Sequence, residues 1–102
     1  MNYKITFNPI VREDIQEAVV WYNRQQTGLG KKFYKELQSY VSILKKSAHC
    51  FAHRYDNIHC LPLRKFPFMI HYRVNTKINE VRIEAVLHSS LNPTKWKKRI
   101  YD

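Results

Sequence analysis

The chain has 102 residues, 44% hydrophobic and 14% aromatic, with only two glycines; this specifies one globular domain and excludes collagen-like, low-complexity and disordered classes. Eighteen Lys and Arg against eight Asp and Glu leave a net charge of +10, which points to a polyanionic partner: nucleic acid, an acidic protein or a membrane surface. The N-terminus has no signal-like apolar region and no run nears the ~18 apolar residues of a membrane span, so a cytoplasmic protein with no membrane partner is expected, with Cys50 and Cys60 reduced.

Tyr3, Ile5 and Phe7 alternate with Lys4 and Thr6, the pattern of a short strand. Asn8-Pro9 reads as a helix start, with Asn8 as N-cap and Pro9 in the first helical position. Val11, Ile15, Ala18, Val19 and Tyr22 then recur at helical spacing, and Gly28 and Gly30 punctuate the end. A second helix is predicted over residues 29–46 on the stripe Leu29, Phe33, Leu37, Tyr40, Val41 and Leu44, joined to the first as an antiparallel hairpin. Periodicity fails over 47–57, which reads as a loop. Strands are predicted at 58–65, 66–75 and 81–88, and Asn92-Pro93 opens a short C-terminal helix. The fold class is α+β: an N-terminal strand and a helical hairpin packed on a small, largely antiparallel sheet.

The run Arg64-Lys65-Phe66-Pro67-Phe68-Met69-Ile70-His71-Tyr72-Arg73 carries the most information. Its period of two puts Phe66, Phe68, Ile70, Tyr72 and Val74 on one side and Met69, His71 and Arg73 on the other. Matching the apolar side of the last strand places Arg82, Glu84, Val86 and His88 on that second face too. One reading is a solvated face with ion pairs such as Arg73–Glu80 or His71–Glu84. The functional reading is a phosphate-handling surface. His71 or His88 would carry a proton, Arg64, Lys65 and Arg73 would clamp phosphate oxygens, and Arg82 would belong to the target-binding surface. Lys97, Lys98 and Arg99 form a dense C-terminal basic edge, and Trp96 offers a stacking surface. His49, Cys50, His53, His59 and Cys60 do not have zinc-site spacing, so no metal is expected. With no Walker loop or dinucleotide fingerprint, no cofactor is expected either.

The landmarks also occur in a recognisable order. Asp14, Ala18, Trp21-Tyr22, Gly28-Leu29-Gly30 and Phe33 are followed by Lys65-Phe66-Pro67-Phe68, Ile70 and Tyr72, then Ala85-Val86-Leu87-His88, Asn92-Pro93, Trp96 and Arg99. Over nearly its whole length the chain resembles the RelE/ParE superfamily of bacterial type II toxins. The resemblance implies a growth-arresting toxin neutralised by a small cognate antitoxin. Its target would be ribosome-bound mRNA, cut by a metal-independent endoribonuclease as in RelE-like members, or DNA gyrase, poisoned as in ParE-like members. The chain departs from the nuclease pattern where Met69, His59 and Leu91 stand in place of arginines. The alternative is a catalytically inactive binding protein of this fold that pairs with an antitoxin or RNA.

Overall fold

A computed structural model describes residues 2–48, 53–55, 57–92, 94, 95, 98 and 99. Trp96, Lys97, His49 and Cys50 lie outside the described residues. Five strands form one sheet in the order β1-β5-β4-β3-β2. They are β1 (Lys4–Phe7), β2 (His53–Tyr55), β3 (Ile58–Pro62), β4 (Phe68–Asn75) and β5 (Glu80–His88). β1 runs parallel to β5, and every other pairing is antiparallel. Helices α1 (Val11–Gln25) and α2 (Leu29–Ser47) pack as a hairpin on one sheet face. The α+β architecture is therefore the expected one, and Thr94, Lys95, Lys98 and Arg99 have helical backbone near the C-terminus.

Three boundaries differ from expectation. Asn8 does not cap α1. Its side-chain oxygen accepts the Ile10 N–H at 3.1 Å and its carbonyl accepts the Val11 N–H at 2.9 Å, so residues 8–10 form a turn and the helix starts at Val11. A short asparagine side chain competes for nearby backbone donors in this way. An edge strand, β2, lies within the stretch expected to be loop. β3 and β4 are shorter than expected, because Leu63 donates back to the Phe68 carbonyl at 2.8 Å and closes a turn that exposes Arg64 and Lys65.

The helical stripes bury as their spacing predicts. Val11, Ala18 and Tyr22 of α1 and Phe33, Leu37 and Leu44 of α2 meet Ile70, Tyr72, Val81 and Ile83 of the sheet. Phe66, though in the turn, inserts edge-on between Tyr22 and Phe33 at 4.9 and 5.4 Å; such pairs each add about 0.5–1.5 kcal/mol beyond burial. Gly28, at φ +86°, makes the left-handed turn into α2. Gly30 is required for a different reason. A Cβ there would lie 2.5 Å from the Val19 carbonyl oxygen, while its N–H is accepted by the Asn23 side chain at 2.9 Å. The hairpin thus closes on a contact only glycine permits. Among the described residues, no helix is long and apolar enough to cross a membrane.

Candidate functional site

The second sheet face does not carry the full set of histidines and arginines expected of it. The cause is a β-bulge. His71 pairs with Ala85, but the next residue, Tyr72, pairs with Ile83, which leaves Glu84 as an extra residue in β5. A single inserted residue reverses the side-chain alternation beyond it. Val81 and Ile83 face the helices as expected. Past the bulge, Val86 takes the helix side, and Ala85 and Leu87 join Ile58, Cys60 and Met69 in a second apolar cluster on the other face.

The predicted trio of His71, Arg73 and His88 is thereby separated. His71 is fully buried, with its Nδ1 3.4 Å from the Cys60 sulfur across the β3–β4 pair. His88 lies opposite Phe68, edge-on to its ring at 5.2 Å, and is exposed. Its Nδ1 is held by Ser90, the backbone N–H at 3.1 Å and the hydroxyl at 2.7 Å. A backbone N–H can only donate, so Nδ1 accepts and the hydrogen of the neutral ring sits on Nε2. Arg73 stays on the far face, near the β4–β5 turn.

What gathers at that end is a two-arginine, one-carboxylate cluster. Glu84, almost buried, accepts from Arg73 Nε at 3.1 Å and Arg82 Nε at 3.3 Å, and from the Asn8 amide at 3.2 Å. The ion pair differs from both sequence expectations, Arg73–Glu80 and His71–Glu84, because the bulge swings the Glu84 carboxylate toward the arginines. Arg73 and Arg82 line a cleft of 590 Å³ together with His59, Lys77 and Glu80. His59, a buried histidine, is also among the residues lining that cleft. Its ring lies nearly flat on Tyr72, with centroids 5.0 Å apart. Its position opposite Tyr72 depends on the β3–β4 register, which no alternation within β3 alone reveals.

The other basic candidates are dispersed. Arg64 and Lys65 are exposed in the β3–β4 turn, where the Lys65 N–H is anchored to the Glu36 carboxylate at 3.1 Å. Lys98 is exposed. Arg99 folds back onto α1, its Nη2 2.5 Å from Asp14 Oδ2, an oxygen that also accepts the Val86 N–H at 3.1 Å. Beside this clasp lies an apolar groove of 530 Å³ between α1 and the ends of β4 and β5, walled by Trp21, Tyr22, Phe68 and Val86 and rimmed by Glu17 and His88. Trp21 is 55% exposed. Burial raises the Tyr22 hydroxyl above its ordinary pKa. No group of three His, Cys, Asp or Glu among the described residues could hold a metal ion.

No protein-family model matches the sequence, and no curated protein sequence does. Solved structures do match the fold. The chromosomal ParDE toxin–antitoxin system of Pseudomonas aeruginosa superposes with a TM-score of 0.74 at 18% identity, covering 84% of this chain and 95% of that one. The archaeal RelE–RelB complex of Pyrococcus horikoshii OT3 gives 0.60 at 16% identity, covering 90% and 100%. A mutant Escherichia coli RelE toxin bound to a RelBc antitoxin peptide gives 0.61 at 13%, covering 100% and 97%. At these identities the likeness is one of fold, and the chain has the RelE/ParE fold.

Proposed function

We propose that this chain is the toxin of a type II toxin–antitoxin pair and arrests growth by binding its target, without cutting RNA. The fold supports the toxin role, since the similar structures are named as toxins or toxin–antitoxin complexes. The binding mechanism rests chiefly on one observation: the Glu84 bulge parts His71 and Arg73 from His88 and fills the far face beyond it with Met69, Ala85 and Leu87. Metal-free cleavage of RNA requires a proton carrier and a phosphate-stabilising cation on the same phosphodiester. A buried His71 and a distant His88 do not supply that pair. DNA gyrase is then the target the resemblance offers, with Arg64, Lys65, Lys97 and Lys98 as docking charges and a cognate antitoxin to mask them.

One observation favours the second reading, ribosome-dependent mRNA cleavage. His59 shares its cleft with Arg73 and Arg82. In that case His59 would be the proton carrier and the arginines the clamps. The test is expression of the chain alone and with the adjacent small reading frame. Growth arrest that the neighbour relieves is the expected result, and unimpaired growth overturns the toxin role. Where arrest occurs, His59→Ala should leave it intact under the binding mechanism and abolish it under cleavage.

A further inference from the structure

Asp14, Glu17, Ala18 and Trp21 follow one another along α1 at intervals of three, one and three residues, so they share one helix face. That face is one wall of the 530 Å³ groove, with Phe68, Val86 and His88 among the residues of the other. Ala18 is buried and ends in a methyl group, which leaves the groove its depth. The walls are aromatic. Trp21 meets Tyr22 edge-on at 5.1 Å, and the Tyr22 ring lies 6.0 Å from that of Phe68. Concave, mostly apolar sites of about 300–1,000 Å³ with a few polar groups at the rim are what small molecules occupy.

The charge of the groove runs against that of the chain. The protein carries 18 Lys and Arg, yet among the described residues none of them lines this groove. Its charged lining residues are Asp14 and Glu17. Asp14 already holds a guanidinium, that of Arg99 at 2.5 Å. Glu17 stands three residues on, exposed, with no hydrogen-bonded or ion-paired partner among the described residues. Trp21 follows Glu17 by four residues, the spacing at which helix side chains meet. An exposed indole face attracts cations, and a carboxylate beside it strengthens the preference.

We propose that this groove binds a small organic cation: an ammonium or guanidinium head on an apolar body. The head would sit between the Glu17 carboxylate and the Trp21 ring, as the Arg99 guanidinium sits on Asp14. The body would lie along Phe68 and Val86. An anion would meet two carboxylates, and a neutral molecule would gain from the apolar walls alone. The site is independent of the toxin reading and holds whether or not the chain arrests growth.

The full chain, labelled with nitrogen-15, is titrated with phenethylguanidinium, with its neutral isostere phenethylurea, and with 3-phenylpropionate. The guanidinium should give saturable shifts at the Trp21 indole N–H and the Leu87 and His88 amides. The urea should bind about tenfold more weakly, and the propionate should leave these resonances in place. Glu17→Gln removes only the charge; it should weaken guanidinium binding about fivefold and leave urea binding unchanged. Trp21→Leu keeps an apolar wall without the π face and should bring the guanidinium close to the urea, read at Leu87 and His88. Both side chains are exposed, and unmoved Gly30 and Val81 resonances report an intact fold. Equal affinity for guanidinium and urea, binding of the propionate at least as tight, unaltered guanidinium binding in either variant, or no saturable shift at the groove would each overturn the proposal.

Discussion

The Glu84 carboxylate joins β4, β5 and the residue after β1. Its arginine partners are 34% and 42% exposed, so solvent screens much of the attraction. Glu84→Gln should therefore cost about 1–2 kcal/mol, measured as a shift in the urea midpoint. Tyr72 makes a drier contact, its hydroxyl donating to the buried Ala48 carbonyl at 2.8 Å. Tyr72→Phe strands that carbonyl and should cost about 1–3 kcal/mol. Tyr22 adds a pH dependence. Its raised pKa means that the unfolded chain ionises this phenol first. The contribution is intact below about pH 10 and is lost as pH climbs through the folded-state value. Tyr22→Phe should flatten that part of the alkaline stability loss, read as the difference between the two proteins' stability–pH curves.

At the scale of elements, the hairpin depends on Gly30. Gly30→Ala drives a methyl against the Val19 carbonyl and should destabilise by about 1–3 kcal/mol, whereas helix propensity alone would favour alanine. The two helices were legible because their apolar stripes recur at helical spacing, and packing follows directly from that spacing. β4 was legible for the matching reason, a strict period of two. β5 was not. Its apparent alternation Val81, Ile83, Ala85, Leu87 continues straight through the bulge, and nothing at Glu84 announces an extra residue. One signal was present: Ala85-Val86-Leu87 is an unbroken apolar run, which marks a strand segment buried on both faces. Met69, apolar on the side expected to be charged, said the same of β4. The placement of His59 against Tyr72 depended on the pairing of β3 with β4, and single-strand periodicity does not encode pairing.

The whole molecule combines a strong positive charge with two apolar grooves, one on either flank of the helical hairpin. One opens beside Trp21 and Phe68, the other beside Phe7 and Ile43. The bulge divides the far sheet face into an arginine end and an oily end, so no described surface joins a solvent-facing histidine to a cluster of open cations at the strand ends past the bulge. That architecture fits a protein that works by occupying its target. The most direct test is to map the 5′ ends of ribosome-bound mRNA in cells arrested by this chain. Arrest with no new ends inside reading frames is the predicted result; new ends that appear within reading frames as growth stops would contradict it.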